Sequence, residues 1–405
     1  MTRATRRLAA LAAAALFAST AASASASTAP KLSSDSAIVI DAKTGSVLFA
    51  QRPNVEREIA STTKLMTAHL VLERARLGDV FTAPAYHAAA GESVIGLRKG
   101  EVMTVHDLLR ALLLPSANDA AWDLAYNLGH GSVRVFVRRM NREARALGLG
   151  RTHYENPIGL DDSRNHSSAR DLARLASVDM RERAFAHIVG RSHATLRSGS
   201  HVRSIVNRND LVGRYGFVDG VKSGHTQQAG YVLVGAAHRR GARVISVVLG
   251  EPSLAARDKD SIALLRYGLA QYKRATVVKR GQPLAGVPIH EHGGRAKLAA
   301  ATSVTLTVRR NTPATVRLHR PRRVDGPLPA HRRVGWVDVV VAGRVVRRVP
   351  LVTVAKVPGP SFWHRAANVA RDLFLVLGAL LIVLAGTLVT LRARALRRRR
   401  ASSPR

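Results

Sequence analysis

The chain has 405 residues, and its 63 Lys and Arg residues against 27 Asp and Glu residues give a formal net charge of +36. It contains no cysteine, which excludes disulfides and thiol chemistry. The length is sufficient for two ordinary domains, and a charge of this sign and size ordinarily suggests nucleic acid as a partner.

The N-terminal segment has the layout of a secretory signal peptide. Arginines stand near its start, residues 8–17 are apolar, and Ala24-Ser25-Ala26 provides a small-x-small cleavage site. The apolar stretch is too short and too rich in alanine for a membrane anchor. We therefore predict that residues 1–26 are removed on export, and export argues against nucleic acid as the partner.

An α+β domain is predicted over residues 27–275. Residues 36–50 alternate as two strands around a Lys43-Thr44-Gly45 turn. Helical periodicity runs from Ser61 to about Leu77, and Pro115 separates two further helices. Later helices are predicted over residues 134–147, 169–178 and 261–272, and apolar strands over residues 231–237 and 243–250. Strands at both ends with helices between them predict that the terminal strands share one sheet.

A small all-β domain is predicted over residues 276–357. Its segments are short, β-branched and punctuated by Gly and Pro. Residues 275–360 contain 16 Lys and Arg residues against three acidic ones. Such a domain in an exported protein would suit anionic lipid headgroups or anionic wall polymers, and the alternative is simply a solvated basic surface.

A single transmembrane helix is predicted over residues 373–391, after a linker at residues 358–372. The stretch has 19 residues without a charge, so at ~1.5 Å per residue it approaches the ~30 Å hydrocarbon thickness of a bilayer. Seven arginines follow in residues 392–405, which predicts a cytoplasmic tail and places everything between residue 26 and this helix outside the cytoplasm, at the cell membrane. A basic amphipathic surface helix is the weaker alternative, because the stretch has no polar face.

Three short motifs could carry chemistry. They are Ser61-Thr62-Thr63-Lys64, Ser116-Ala117-Asn118 and Lys222-Ser223-Gly224, in that order. Each alone is explained structurally, as an N-capping serine, a polar helix start and a turn glycine. The ordered set of three favours a catalytic interpretation.

The first motif supplies a nucleophile and a base. Ser61 and Lys64 are three residues apart, so on a helix they share one face. A serine hydroxyl needs a base within hydrogen-bond reach. Lys64 can serve if apolar neighbours or a second cation, for which Lys222 is the candidate, lower its pKa. Free N–H groups at the helix start suit an oxyanion.

The motifs match the penicillin-binding protein and serine β-lactamase superfamily. The stretches IASTTKLMTAHLVLE, LLRALLLPSANDAAWDLA, THYENPIGLDD, HSSARDLARLA and DGVKSGHTQQAGYVLVGAA resemble the D-alanyl-D-alanine carboxypeptidases, the low-molecular-mass penicillin-binding proteins. The resemblance covers residues 30–275 or so, and the β domain resembles that family's second domain more loosely. It implies a β-lactamase/transpeptidase-like catalytic fold, with helices packed on an antiparallel sheet.

The resemblance also implies an acyl-enzyme mechanism without cofactor or metal. Ser61 would be acylated by the penultimate D-alanine of a peptidoglycan stem pentapeptide, releasing the terminal D-alanine, and β-lactam antibiotics would inhibit it. Lys64 is the implied base, Ser116 the proton relay to the leaving amine and Asn118 the partner of the substrate amide. The implied substrate-binding residues are Lys222, Ser223, Gly224, His225 and Thr226. Of these, Lys222, Ser223 and Thr226 would bind the terminal carboxylate, and the N–H groups of Ser61 and His225 would form the oxyanion hole.

Some departures leave alternatives open. Ser223 stands where the family usually has Thr, and because both carry a hydroxyl we expect activity to survive. Glu251 resembles the deacylating glutamate of class A β-lactamases but follows the third motif, which disfavours strong β-lactamase activity. DD-endopeptidase action stays open, as does a non-catalytic wall-binding scaffold, although no motif serine, lysine or asparagine is lost.

His153, Asp161 and His166 fit no helical metal-ligand pair, so we predict no metal among them.

Overall fold

The computed structural model describes residues 28–401, and the predicted signal peptide lies outside them. The chain divides into two compact units, with the boundary between Lys273 and Arg274. The boundary expected from composition was residue 275.

The strands of the first unit are β1 (Ser36–Asp41), β2 (Val47–Gln51), β3 (Arg57–Glu58), β4 (Val80–Thr82), β5 (Val102–Thr104), β6 (His166–Ser167), β7 (His193–Leu196), β8 (Arg203–Val206), β9 (Val218–Thr226), β10 (Gly230–Arg239) and β11 (Ala242–Glu251). Its helices are α1 (Lys64–Arg74), α2 (Val105–Leu113), α3 (Asn118–Leu128), α4 (Val133–Ala146), α5 (Ala169–Asp179), α6 (Arg183–Val189) and α7 (Leu254–Ala270). A 3-10 turn over Ala60–Thr63 precedes α1, and a further helical turn covers Leu211–Arg214.

A five-stranded antiparallel sheet in the order β2-β1-β11-β10-β9 organises the first unit. The first and last long strands pair directly, with Ile38 opposite Val247, so the prediction that the terminal strands share a sheet is confirmed. Strands β3 with β6, β4 with β5, and β7 with β8 form three small ribbons.

Both faces of this sheet are covered, so β1 is buried along nearly its whole length, and the alternation predicted for residues 36–50 is wrong for this strand. Successive side chains of a strand point to opposite faces. Ile38 and Ile40 belong to the larger core with helices α1 to α6. Ala37 and Val39 belong to a second core with apolar residues of α7. The α+β prediction with helices packed on an antiparallel sheet is confirmed.

The break between α2 and α3 follows from the local sequence. Thr104 caps the start of α2 by accepting a hydrogen bond from the Asp107 N–H, and α2 ends two residues before Pro115, as predicted. Ser116 has a φ of 66°, in the left-handed region. That turn lets α3 begin directly afterwards at Asn118.

The second unit contains a small β structure and a long helix. Its elements are β12 (Tyr272–Val278), which crosses the boundary, β13 (Pro283–Pro288), β14 (Arg295–Ala300), β15 (Val304–Arg309), β16 (Ala314–His319), β17 (Arg333–Val341), β18 (Arg344–Thr353) and α8 (Phe362–Ala401). The sheet order is β13-β14-β18-β17-β16, with β12 paired to β15. Its core includes Val287, Leu298, Val337 and Leu351.

Helix α8 has the length and composition to cross a membrane. The candidate span runs Phe362–Ala395, so the helix extends beyond the predicted span of residues 373–391 at both ends. Its apolar side chains are exposed, Leu373 by 59% and Ile382 by 75%. A soluble domain would normally bury such a surface, so the helix is a candidate membrane anchor.

Candidate active site

The turn from the 3-10 segment into α1 places Ser61 beside Lys64. Ala60 has a φ of 45°, and its carbonyl oxygen would lie 2.0 Å from a Cβ placed on Gly159. Only glycine at position 159 therefore leaves room for this turn. The Lys64 ammonium donates to Ser61 Oγ at 3.0 Å.

Two further contacts fix the direction of the Lys64 amine. Its Nζ donates to Asn118 Oδ1 and to the Ile158 carbonyl oxygen, each at 2.6 Å. A neutral amine has two N–H groups and one lone pair. When Lys64 is neutral, these two partners occupy its N–H groups, and the lone pair is left to accept the Ser61 proton.

Burial makes the neutral amine accessible near neutral pH. Lys64 is 0% exposed, and burial lowers its pKa from 10.5 to about 7. The Glu92 carboxylate opposes this change in the Lys64 pKa, while the Arg208 guanidinium contributes to it. The pKa therefore suits a general base at physiological pH.

The second motif supplies a free hydroxyl and an oriented amide. Ser116 is 3% exposed, and its Oγ has no hydrogen-bond partner within residues 28–401. A buried hydroxyl normally finds a partner, so this one is available to a bound molecule. Asn118 Nδ2 donates to Glu92 Oε2 at 2.7 Å, which turns its Oδ1 towards Lys64.

The third motif lies on the edge strand β9, whose outer side is unpaired in the sheet order. A Cβ on Gly224 would lie 2.8 Å from the Ser61 backbone nitrogen, so β9 passes directly beside Ser61. An edge strand presents free backbone N–H and C=O groups, which can pair with an extended peptide. Ser223 is 5% exposed and Lys222 1% exposed. His225 is exposed and stacks on Tyr231, with Thr226 next in the strand.

Lys222 lies in the interior of the site, close to other cationic groups. Its Nζ donates to the Ser223 carbonyl oxygen at 2.7 Å. Burial holds the pKa of Lys222 well below its usual 10.5, and three neighbouring cations act in the same direction. They are Lys64, Arg208 and Arg257. An incoming carboxylate would relieve this repulsion.

Glu92 belongs to no sequence motif, and the structure places it beside the motif residues. Tyr86 donates a hydrogen bond to its Oε2, and the Ala89 N–H donates to its Oε1 at 2.9 Å. These bonds and the one from Asn118 outweigh its desolvation and hold the pKa of Glu92 below 4.5. It is therefore a carboxylate at neutral pH.

The loop that carries Glu92 is anchored to the start of α3. The Asp119 carboxylate accepts from the N–H groups of Ile95, Gly96 and Leu97 at 2.9–3.2 Å. Arg208 joins the same region, because its N–H donates to the Leu114 carbonyl at 3.0 Å. A groove of about 780 Å³, lined in part by Ile95, Pro115 and Arg208, adjoins the site.

The remaining residues singled out in the sequence lie elsewhere. His153 and His166 form a backbone bridge with stacked rings 6.2 Å apart, and Asp161 is exposed. The prediction that these three hold no metal stays a prediction. Glu251 ends β11, where it is 1% exposed, and burial followed by Asp260 raises its pKa to about 8.

Comparisons with known proteins agree on one family. The model of the D-alanyl-D-alanine carboxypeptidase family matches residues 23–253. D-alanyl-D-alanine carboxypeptidase DacA of Escherichia coli K12 is 30% identical, over 85% of this chain and 89% of the relative. DacF of Bacillus subtilis 168 is 33% identical, over 66% of this chain and 70% of the relative.

Two solved structures extend this similarity. The Streptomyces K15 DD-transpeptidase is 34% identical with a TM-score of 0.58, over 60% of this chain and 99% of that one. Penicillin binding protein 5 from Haemophilus influenzae is 28% identical with a TM-score of 0.58, over 82% of this chain and 99% of that one.

Replacing Glu92 by Gln should shift the pH dependence of acylation to lower pH. The Glu92 carboxylate stabilises the Lys64 ammonium, so its removal lowers the Lys64 pKa further below about 7. With the neutral Lys64 amine as the predicted base, the rate of labelling by a fluorescent penicillin should rise with pH through the Lys64 pKa. We expect the midpoint of that rise, measured between about pH 5 and 9, to fall in Glu92→Gln. The exposed Glu182→Gln should keep the wild-type midpoint, and an unchanged or higher midpoint in Glu92→Gln would contradict the assignment.

Replacing Gly224 by Ala should slow the same labelling reaction. The added methyl would lie 2.8 Å from the Ser61 nitrogen and 2.9 Å from Val232 Cγ2, so β9 has to move away from Ser61. A displacement of this kind should lower the acylation rate about 10- to 100-fold. The matched control is Gly216→Ala, whose methyl meets nothing within 4 Å. Equal rates in the two variants would show that the close approach of β9 is unimportant.

Proposed function

The chain belongs to the D-alanyl-D-alanine carboxypeptidase family, and on that basis we propose that it removes the terminal D-alanine from peptidoglycan stem pentapeptides through an acyl-enzyme on Ser61. The observation that carries the proposal is the Lys64 amine. Two of the three hydrogen-bonding positions of Lys64 Nζ are occupied by Asn118 Oδ1 and the Ile158 carbonyl oxygen. The third faces Ser61 Oγ at 3.0 Å.

In the acylation step, Ser61 Oγ attacks the carbonyl carbon of the penultimate D-alanine while Lys64 takes the hydroxyl proton. The N–H groups of Ser61 and His225 are proposed to stabilise the oxyanion. Breaking the peptide bond then needs a proton on the leaving nitrogen. The unpartnered Ser116 hydroxyl is proposed to relay it from Lys64, which returns to the neutral state.

Recognition of a free C-terminus is supported by the charges around β9. Lys222 lies in the field of Lys64, Arg208 and Arg257. A terminal carboxylate placed there would restore the Lys222 pKa and form charge-assisted hydrogen bonds. The hydroxyls of Ser223 and Thr226 and the close backbone of Gly224 are proposed to complete this subsite. Water then attacks the acyl-enzyme and releases the shortened peptide.

A second candidate reaction is transfer of the acyl group to an amine. The solved structure that is 34% identical over 60% of this chain carries the name DD-transpeptidase. The two reactions share acylation and differ only in whether water or an amine attacks the ester. The free edge of β9 would allow an amine-bearing peptide to approach as well. DD-endopeptidase action on cross-links would use the same nucleophile.

The second unit is proposed to hold the enzyme at the cell membrane. The support is the exposed apolar helix α8 and the arginines after it. In this proposal the catalytic unit is extracytoplasmic and residues 392–405 are cytoplasmic. Anionic wall polymers are proposed as partners of the β structure on the support of its exposed arginines, which include Arg309, Arg333, Arg344 and Arg347.

Mass spectrometry of the full-length chain in detergent tests the proposed nucleophile. Incubation with penicillin should add one penicilloyl group, and incubation with a pentapeptide ending in D-alanyl-D-alanine should release D-alanine. Both should vanish in Ser61→Ala and persist in Ser204→Ala, which replaces an exposed serine on β8. An adduct that survives in folded Ser61→Ala would refute the proposal. Adding a glycine peptide as acceptor separates the two reactions, because only transpeptidation yields the longer product.

The proposed topology is tested by adding protease to intact cells. The catalytic unit should be digested, while an epitope fused after Arg405 should stay protected until the membrane is permeabilised. Protection of the catalytic unit would reverse the proposed orientation.

A further inference from the structure

A cluster of ionisable residues away from the nucleophile joins three helices. His69 and Glu73 lie one turn apart on α1, and Glu143 lies on α4. Single ligand atoms of these three residues all lie within 4.8 Å of one another. His69 Nε2 is 3.5 Å from Glu73 Oε1 and 3.7 Å from Glu143 Oε1. A fourth member, Asp179, ends α5 and contacts His69 Nδ1 at 2.7 Å.

The His69 imidazole is oriented but incompletely bonded. Its Nδ1–H donates to the Asp179 carboxylate, which leaves Nε2 facing the two glutamates. The His69 side chain is only 9% exposed, yet Nε2 has no hydrogen-bond partner among the described residues. A lone pair facing two carboxylates is repulsive unless a positive species lies between them.

The positions of the three acids along their helices also favour a bound cation. Glu73, Glu143 and Asp179 each lie in the last turn of their helix. Carboxylates are unfavourable there, because the C-terminal end of a helix carries partial negative charge. Three helix ends and three acids meet at one place. A bound cation would be attracted to each of them, so it would offset their mutual repulsion.

Among the residues whose side chains the structure describes, no Lys or Arg neutralises the cluster. The chain has 63 Lys and Arg residues, but the described ion pairs of Glu73, Glu143 and Asp179 are with His69 alone. In so basic a protein, three carboxylates without a Lys or Arg partner indicate that a bound species neutralises their charge.

We propose that His69, Glu73 and Glu143 bind a divalent metal ion, with Zn²⁺ as the preferred occupant, and that Asp179 orients His69. Zn–N and Zn–O bonds of ~2.0–2.2 Å in tetrahedral geometry place neighbouring ligand atoms ~3.4 Å apart. The observed separations of 3.5 and 3.7 Å are close to this value. One imidazole and two carboxylates suit zinc, and a carboxylate on the second nitrogen is the usual support for a metal-bound histidine.

A proton on His69 is the competing occupant. Burial lowers the pKa of His69, and the hydrogen bond and charge of Asp179 followed by the charges of Glu73 and Glu143 raise it overall above 6.5. An imidazolium would still leave two uncompensated negative charges among the three carboxylates. A divalent ion on the neutral ring would leave one. Glu73 is 44% exposed on its side chain, which gives an ion and a water ligand a path to the site.

Such a site would be structural. Lys64 begins α1, and His69 lies five residues further along, ~7.5 Å at 1.5 Å per residue. A metal at the far end of α1 would fix that helix to α4 and α5 and so hold the position of the catalytic lysine.

Equilibrium dialysis of the untagged, EDTA-stripped full-length chain against Zn²⁺ tests the proposal by elemental analysis. We expect one equivalent of zinc, and an increase in the melting temperature on binding. Glu73→Gln and Glu143→Gln should each weaken binding by more than tenfold and abolish the zinc-dependent increase. Asp179→Asn should weaken it about 10- to 100-fold.

The matched control is Glu155→Gln, which alters another histidine–carboxylate pair, His153 Nε2 to Glu155 Oε1 at 3.0 Å, and should leave binding unchanged. Circular dichroism and cooperative unfolding establish that each variant is folded, and the exposed Glu73 makes Glu73→Gln the variant least disturbing to the core. Absence of stoichiometric zinc, or binding that is unaffected in folded Glu73→Gln and Glu143→Gln, would overturn the proposal and assign the site to a protonated His69.

Discussion

The burial of one amine organises the catalytic unit. An ammonium group without water is strongly unfavourable, so a fully buried lysine gives up its proton or acquires partners. For Lys64 the neutral amine and the ammonium are close in free energy, because its neighbours favour different states. Glu92 favours the ammonium, while Arg208 and burial favour the amine. The Asn118 and Ile158 oxygens are compatible with either state. The group can therefore accept and return a proton without rearrangement of its surroundings, as a two-step acyl transfer requires.

This balance depends on segments that are far apart in the chain. The sheet places β9 beside the turn before α1, the break at Pro115 brings Asn118 to Lys64, and the loop with Glu92 is fixed by Asp119. Two of the eight non-glycine residues with positive φ, Ala60 and Ser116, lie here. Such conformations persist only where the surroundings enforce them, which fits a site held by its whole scaffold.

The sequence predicts the parts of the structure that depend on local patterns. The apolar strands over residues 231–237 and 243–250, the helix that begins near Ser61 and the break at Pro115 follow from hydrophobic patterns and from the chemistry of proline. The motif residues could be found because their spacing is fixed. Glu92 could not, because it lies in a loop without periodicity and reaches Asn118 across 26 residues. The contribution of the Ile158 carbonyl could not be predicted either, because a backbone group does not depend on the type of side chain. His69 was hidden within the buried run of α1, since its partner Asp179 lies 110 residues away.

The cationic groups around Lys222 have a kinetic consequence. Arg208 and Arg257 act on Lys222 as positive charges, and positive charge near a binding site attracts an anionic peptide before contact. At physiological ionic strength the Debye length is ~8 Å, and in a dilute medium it reaches ~30 Å. Electrostatic steering therefore extends little beyond the mouth of the site in ordinary saline surroundings, and considerably further when the surrounding medium is dilute. The encounter rate of this enzyme is thus coupled to the ionic composition of the space in which it works.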